Sequence, residues 1–235
     1  MTDHVYCINL EKRPDRKAQA QFQFKNAGIK GVEFFKGTDG KAEAPEGIRI
    51  TKPEYGCSDS HIRVWRDIVK NGYKISLIFE DDIRILPNFG SKLEEVLEDL
   101  KYIPDWDYVN LGPLAWRDRG PRVTENLVSG SAWGAHCYLV SQKCAQKISN
   151  WETKDLRYCQ DVQIARSPLN MYYTSKPLAN QESFGYSTFG VISSWFRGDI
   201  GFSRTPDIDF FLRDIFQRDI ILIILLLYAL KVLMR

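Results

Sequence analysis

The stretch Ile75-Ser76-Leu77-Ile78-Phe79-Glu80-Asp81-Asp82 determines the predicted fold class, because a short apolar run leads directly into three carboxylates. An apolar run of this length, bounded by polar residues, is typical of a strand buried on both faces of a parallel sheet. Ligands of such sheets bind outside the carboxyl ends of the strands. We therefore expect the acidic triplet to lie at a binding edge.

Strands and helices are predicted in alternation on both sides of this stretch. The expected strands cover residues 5–10, 32–35, 75–79, 108–111 and 137–140. The expected helices cover residues 14–27, 58–70 and 88–101, with a further helix that follows the cap Ser141 and runs to residue 148. This alternation predicts an α/β domain with a mostly parallel central sheet, which we assign to residues 1–205.

Composition excludes several classes of protein. The chain has 235 residues, with 32 Lys+Arg against 30 Asp+Glu, and this near balance argues against a nucleic-acid binder that acts through bulk charge. Hydrophobic residues make up 44%, so the chain can bury a core. The cysteine count is five, with no CxxC pair, which argues against a disulfide framework and a structural zinc site. We expect reduced cysteines in the cytosol.

The acidic triplet predicts a metal site. Three adjacent carboxylates repel one another unless a cation neutralises them. Hard divalent ions take carboxylate oxygens and also suit phosphate ligands, such as the leaving diphosphate of a nucleotide sugar. The alternative is a solvated acidic turn, which the triplet alone does not exclude.

Two further segments suggest contacts to an anionic ligand. With Ser58 or Asp59 as N-cap, Ser60 and His61 would lie in the first turn of a helix, whose free N–H groups favour anions. The alternative for His61 is a packed or surface histidine. In the first segment of the chain, a strand end at Asn9 is followed by a polar turn with Arg13 and Arg16, which would suit a phosphate, although such arginines are also ordinary surface residues.

Together these segments resemble glycosyltransferase family 25, the lipooligosaccharide and collagen galactosyltransferase family. The motif residues that carry the resemblance are Asn9, Leu10, Arg13, Asp15 and Arg16, then Asp39 and Gly40, then Gly56, Cys57, Ser60, His61 and Trp65, and then Glu80, Asp81 and Asp82. Later elements match more loosely, namely Tyr138 to Ser141 with Ala145, then Asp161, Gln181 and Ser183. The resemblance runs from about residue 5 to residue 190.

The resemblance implies a GT-A-like fold and an inverting transfer of a hexose from a UDP-sugar, with Mn²⁺ or Mg²⁺ as cofactor. An inverting enzyme needs a general base, for which Asp161 is the candidate, the alternative being an N-cap of a short helix over 162–166. Because no histidine follows His136, Asp81 and Asp82 would hold the metal together with the diphosphate. The expected nucleotide-sugar contacts are Asn9, Arg13, Arg16, Asp39, Ser60, His61, Glu80 and Asp81.

The acceptor would be a glycan, a lipid or a protein, and the oligomeric state is left undecided. Two other functions stay open: a non-catalytic nucleotide- or sugar-binding protein on the same fold, and a membrane-tethered interaction protein.

Residues 206–235 differ in composition from the rest of the chain. Ile220 to Leu230 form an unbroken apolar run, which is shorter than the roughly 20 residues of a spanning helix. We expect a C-terminal apolar helix that anchors in or lies on a membrane, the alternative being a helix packed in a core or a dimer interface. Since the N-terminus lacks a signal-peptide pattern, we expect a cytoplasmic protein associated with the cytosolic face of a membrane.

Overall fold

The computed structural model describes residues 2–182, which lie in the first of two units of the chain, residues 1–184. The strands are β1 (His4–Asn9), β2 (Val32–Lys36), β3 (Ile75–Glu80), β4 (Ile83–Ile85), β5 (Tyr108–Asn110), β6 (Ala115–Arg122), β7 (Leu127–Trp133), β8 (Cys137–Ser141), β9 (Met171–Thr174) and β10 (Ala179–Gln181). The α-helices are α1 (Pro14–Asn26), α2 (Gly40–Glu43), α3 (Lys52–Asn71), α4 (Phe89–Leu100), α5 (Gln142–Ile148) and α6 (Gln160–Ala165). The predicted boundary at residue 205 and the apolar C-terminal helix lie outside the described residues.

The central sheet has the strand order β2-β1-β3-β8-β5-β9-β7-β6. Parallel pairs join β1 to β2 and to β3, and join β5 to β9. β8 is antiparallel to both of its neighbours, and so is β7. When these directions are followed across the sheet, all strands except β8 and β7 point the same way. The expected α/β class with a mostly parallel sheet is confirmed, with two reversed strands that the sequence pattern did not predict.

Side chains of β3 alternate between the two faces of the sheet, and both faces are covered. Ile78 packs in one cluster with Trp65 of α3, while Leu77 and Phe79 pack in another with Phe24 of α1. This double burial explains why β3 reads as a continuous apolar run. Across residues 2–182, the structure contains no helix that is both long and apolar enough to cross a bilayer.

Helix α3 begins earlier than expected. Its N-cap is Thr51, whose side chain accepts a hydrogen bond from the backbone of Glu54, while the Glu54 side chain bonds back to the Thr51 N–H. This capping box starts the helix at Lys52. The expectation that Ser60 and His61 lie in the first turn of a helix is therefore wrong, because two full turns precede them. Free N–H groups of a helix end do not exist at this position.

A close backbone contact holds α3 against the loop that follows β2. A Cβ atom on Gly56 would stand 2.5 Å from the Gly40 nitrogen and 2.6 Å from the Thr38 oxygen. Only a glycine lets the two backbones approach this closely. The contact sets the position of α3 beside the carboxyl ends of β1 and β3.

Candidate functional site

The carboxyl ends of β1 and β3 bring two of the predicted motifs together. The strands are parallel neighbours, with Ile8 opposite Glu80 in the register. Asn9, the last residue of β1, donates a 2.7 Å hydrogen bond from Nδ2 to Oδ2 of Asp81. The amide of Asn9 is buried and also donates to the Arg13 carbonyl. Asn9 therefore orders the turn after β1 and one carboxylate of the acidic triplet at the same time.

Arg16 lies beneath the acidic triplet and supplies positive charge to it. Its Nη1 atom is 3.1 Å from Oδ1 of Asp81 and 3.5 Å from Oδ2 of Asp82, and the side chain is buried. With Asn9 on Oδ2 and Arg16 on Oδ1, both oxygens of Asp81 accept hydrogen bonds from the protein. Burial nevertheless raises the pKa of Asp81, an effect that Arg16 and Asn9 oppose. The carboxylate of Asp81 is thus directed into the fold.

Gln181 connects the other two carboxylates of the triplet. β10 pairs with β4 so that Gln181 lies opposite Ile83, directly after the triplet. The Nε2 atom of Gln181 donates to Oδ1 and Oδ2 of Asp82 at 2.9 and 2.8 Å, and to Oε2 of Glu80 at 3.3 Å. The loosely matched late Gln is thus brought into the site, whereas Ser183 lies outside the described residues. Glu80 and Asp82 therefore share one hydrogen-bond donor, the amide of Gln181.

His61 is fully buried and supports Glu80 from the other side. Its Nε2 is 3.2 Å from Oε1 of Glu80, and its Nδ1 is 2.9 Å from the hydroxyl of Tyr138. Trp65 donates from Nε1 to the same hydroxyl at 2.9 Å. Because Trp is a donor only, the hydroxyl proton is free to point at Nδ1, which leaves the imidazole proton on Nε2 for Glu80. The hydrogen bonds then run from Trp65 through Tyr138 and His61 to Glu80.

Cys57 and Gln160 extend this group of side chains toward α6. The Cys57 thiol is 3.8 Å from Oε1 of Glu80 and receives a 3.2 Å hydrogen bond from Nε2 of Gln160. Ser58 fixes Gln160 by donating to its Oε1 and accepting from its backbone N–H, both at 3.1 Å. Burial raises the pKa of the Cys57 thiol, and the charge of Glu80 raises it further. The start of α6 is therefore tied to the acidic triplet through α3.

Asp161, the candidate general base, follows Gln160 in the first turn of α6. Its Oδ2 accepts from the Gly134 N–H at 3.2 Å, and its Oδ1 accepts from the Val162 N–H and the Cys159 thiol at 2.8 and 2.9 Å. The N-cap of α6 is Cys159, so the alternative role of Asp161 as an N-cap is not what the structure shows. Its neighbour Gln160 bonds the Cys57 sulfur, which is 3.8 Å from Oε1 of Glu80, so α6 begins at the same edge of the domain as the acidic triplet.

The remaining predicted residues have partners within the protein. Arg13 forms an ion pair with Asp15 at 2.6 Å. Asp39 caps α2 and pairs with Lys12, whose ammonium lowers the pKa of Asp39. Ser60 accepts from the Thr38 N–H at 2.8 Å and donates to the Gly56 carbonyl at 2.6 Å. These contacts order the loops after β1 and β2, and a donor contact by Arg13, Asp39 or Ser60 stays a prediction.

Sequence reasoning missed the roles of three side chains. The motif residues include Tyr138 and Cys57 but assign them no role, and they do not include Gln160. The alternation of β8 would have placed Tyr138 on the face toward α3, but nothing local identifies a histidine as its partner. Gln160 carries no sequence signal beyond its position before Asp161.

Comparison with known proteins identifies the family of this chain. The model of "Glycosyltransferase family 25 (LPS biosynthesis protein)" matches residues 2–118. A glycosyltransferase 25 family member of Drosophila pseudoobscura pseudoobscura is 34% identical over 168 residues, which are 62% of this chain and 27% of that protein. Procollagen galactosyltransferase 1-B of Xenopus laevis is 25% identical over 230 residues, which are 85% of this chain and 37% of that protein.

A third relative carries a different description. The probable inactive glycosyltransferase 25 family member 3 of Bos taurus is 28% identical over 169 residues, which are 62% of this chain and 28% of that protein. The chain thus spans between 27% and 37% of the length of these three relatives. The range matched by the family model includes the motif residues gathered at the ends of β1 and β3, and on these grounds the chain belongs to glycosyltransferase family 25.

Proposed function

We propose that this chain transfers a hexose, galactose or glucose, from a UDP-sugar to a hydroxyl acceptor, with inversion at the anomeric carbon and with a divalent metal. The observation that carries the proposal is that Glu80 and Asp82, which share the Gln181 amide, lie at the carboxyl end of β3, and that Cys57 and Gln160 link them to the start of α6 and Asp161. Ligands of open α/β sheets bind at this edge. Membership of family 25 supports the class of reaction.

The donor set at this edge fits Mn²⁺ or Mg²⁺. Hard divalent ions prefer carboxylate oxygens, and Asp82 together with Oε2 of Glu80 offers them. We place the ion on Glu80 and Asp82, where it would displace the neutral amide of Gln181 from their oxygens, whereas Asn9 and the charged Arg16 hold both oxygens of Asp81. Such an ion would neutralise the negative charge that the diphosphate gains as it leaves.

The other side chains of the site would each have a separate role in the reaction. Asp161 would accept the proton of the acceptor hydroxyl, since its carboxylate lies at the same edge and is held by the Gly134 N–H. Arg16 and Asn9 would hold the triplet in place by fixing Asp81. His61 would keep Glu80 oriented, with the Tyr138 hydroxyl fixing the imidazole.

Galactose is the favoured hexose, because two Xenopus laevis relatives are named procollagen galactosyltransferases. Because procollagen is a protein, a protein hydroxyl is the favoured acceptor, ahead of a glycan or a lipid. A cytoplasmic location at a membrane surface stays a prediction, because the apolar run Ile220 to Leu230 lies outside the described residues.

A donor screen tests the proposal. The chain is incubated with UDP-galactose, UDP-glucose and further UDP-hexoses in Mn²⁺, and release of free UDP is measured with and without a chelator. We expect one UDP-hexose to be turned over in Mn²⁺, with turnover lost on chelation. Binding of UDP without any turnover, across donors and acceptors, would instead support the non-catalytic alternative, which the Bos taurus relative's name makes relevant.

A further inference from the structure

A cysteine, a histidine and a glutamate converge beside the proposed donor site. Within residues 2–182, Cys57, His61 and Glu80 form one group whose ligand atoms all lie within 4.8 Å of one another. Cys57 and His61 are four residues apart on α3, so their side chains share one face of the helix. Glu80 comes from the end of β3. The proposed function uses Oε2 of Glu80, whereas this group uses Oε1.

We propose that Cys57, His61 and Glu80 form a Zn²⁺ site next to the donor site. A thiolate, an imidazole and a carboxylate are the ligand types that Zn²⁺ takes, and three protein ligands leave a fourth position for water. A thiolate and a carboxylate carry two negative charges, which match the charge of the ion. Mn²⁺ and Mg²⁺ prefer oxygen ligands, so the two sites differ in chemistry.

Two of the three distances between ligand atoms lie close to those around a tetrahedral ion. With bonds of about 2.3 Å to sulfur and about 2.1 Å to nitrogen or oxygen, tetrahedral ligand atoms lie about 3.4 to 3.6 Å apart. Here Nε2 of His61 is 3.2 Å from Oε1 of Glu80, and Sγ of Cys57 is 3.8 Å from the same oxygen. For these two pairs the ligand atoms need to move by a few tenths of an ångström, and the third pair, Sγ of Cys57 and Nε2 of His61, lies within 4.8 Å. Cys57 and Glu80 are partly exposed, which gives the ion a way in.

Neighbouring side chains support each ligand. Histidine ligands of metals almost always donate their other ring N–H to an acceptor. The Tyr138 hydroxyl, 2.9 Å from Nδ1 of His61, can accept that bond. Gln160 donates to the Cys57 sulfur at 3.2 Å, a contact that favours the thiolate. Oε2 of Glu80, the oxygen assigned to the donor-site ion, accepts from Gln181 in this structure and is not needed for Zn²⁺.

Proton balance in the binding step is straightforward. The thiol of Cys57 loses its proton to solvent as the Zn–S bond forms. The imidazole keeps one proton, which shifts from Nε2 to Nδ1 and is then donated to Tyr138. The Tyr138 hydroxyl then stops donating to Nδ1 and accepts a hydrogen bond from the Nδ1–H instead. Its two lone pairs allow it to accept this bond and the one from Trp65 at the same time.

Titration of the full chain with Co²⁺ and Zn²⁺ tests the site without any activity measurement. We expect Co²⁺ to produce a thiolate charge-transfer band and tetrahedral d–d bands, and Zn²⁺ to abolish them at one equivalent. Cys57→Ser should remove the charge-transfer band and weaken Zn²⁺ binding by more than about 100-fold, the upper range for losing an outer-shell partner. His61→Gln should weaken Zn²⁺ binding similarly.

His4→Gln is the matched control, because His4 also pairs with a glutamate, Glu33, at 2.8 Å, and no cysteine belongs to that pair. It should leave Zn²⁺ affinity unchanged. If Cys57→Ser fails to fold, zinc-edge X-ray absorption of the unmodified chain replaces it. One sulfur neighbour at about 2.3 Å supports the site, and a shell of nitrogen and oxygen alone overturns it. Unchanged Zn²⁺ affinity in folded Cys57→Ser would also overturn it, whether or not the chain proves to be an active transferase.

Discussion

Gln181 donates hydrogen bonds to both carboxylate oxygens of Asp82, at 2.9 and 2.8 Å, across a sequence separation of 99 residues. β10 places the amide there by pairing with β4, the short strand that follows the acidic triplet. The same amide reaches Oε2 of Glu80. Asp82 and Glu80 are therefore held side by side, while Asp81 between them turns toward Asn9 and Arg16.

Asp82→Ala should abolish metal-dependent release of UDP from the donor while the domain stays folded. The reason is that Asp82 would bind the proposed ion in place of the Gln181 amide, while Asp81 stays bonded to Asn9 and the charged Arg16. Turnover in Mn²⁺ and circular dichroism are measured together. Asp118→Ala is the control, since Asp118 is an exposed carboxylate on β6. Full turnover in folded Asp82→Ala would exclude Asp82 from the metal site.

Asp161→Asn should lower kcat by about 10²- to 10⁴-fold, the usual contribution of a general base, with little change in the KM for the donor. An asparagine oxygen can accept from the Gly134 N–H or from the Val162 N–H but not from both, so circular dichroism accompanies the kinetics to check that the variant is folded. Steady-state kinetics with a saturating acceptor provides the measurement. An unchanged kcat would mean that another group takes the acceptor proton.

Tyr138→Phe should lower the free energy of unfolding by about 1–3 kcal/mol, the cost of leaving buried polar groups without partners. The change removes the hydrogen-bond partner of the Trp65 N–H and of the Nδ1 atom of His61, because both groups bond to the Tyr138 hydroxyl. Urea denaturation measures the loss. Tyr102→Phe removes a hydroxyl from a side chain that is 79% exposed and should have almost no effect. Equal stability of the two variants would show that the buried hydroxyl contributes nothing.

Gly56→Ala should destabilise the domain, although alanine is intrinsically the better helix former by about 1 kcal/mol. The added Cβ would stand 2.5 Å from the Gly40 nitrogen and 2.6 Å from the Thr38 oxygen, and both are backbone atoms that cannot turn away. Overpacking of this kind costs about 1–3 kcal/mol, so the steric clash should outweigh the gain in helix propensity.

Gly90→Ala provides the comparison for Gly56→Ala under the same thermal denaturation. Gly90 lies in α4, and a Cβ there would meet nothing within 4 Å, so this variant should keep or raise the melting temperature. If Gly56→Ala melts at or above the temperature of Gly90→Ala, the backbone contact between α3 and the loop after β2 is looser than the structure indicates.

The apolar run Ile220 to Leu230 should carry the chain to membranes. Eleven consecutive apolar side chains in water would favour aggregation or membrane binding. We expect the full chain to pellet with membranes, and a variant that ends near Gln217 to stay in the supernatant with its donor hydrolysis intact. Fractionation of both is the measurement. A full chain that remains soluble and monodisperse would favour packing of the run in a protein interface.

Part of the fold could be predicted because its signals are local. The apolar run of β3, the Pro14 start of α1 and the Ser141 cap of α5 each depend on residues a few positions apart. The start of α3 was missed although Thr51 and Glu54 form a capping box, because the later Ser58 and Asp59 look like a cap as well. The hairpin of β6 and β7 was missed because β6, AWRDRGPR, is an exposed edge strand with no apolar alternation.

Sequence patterns alone establish the α/β class, the family motifs and the acidic triplet at a strand end, since chain neighbours determine periodicity and caps. They do not establish the direction of β8, or which side chains bond each carboxylate of the triplet. Asp81 is bonded by Asn9 and Arg16 from a neighbouring strand and helix, and Asp82 is bonded by Gln181 from β10. Likewise, the absence of a CxxC pair argued against zinc, yet helix α3 and strand β3 bring Cys57, His61 and Glu80 together. Such groups of side chains depend on pairings between segments that are far apart in the chain. Burial of the whole core selects these pairings, and local periodicity does not encode them.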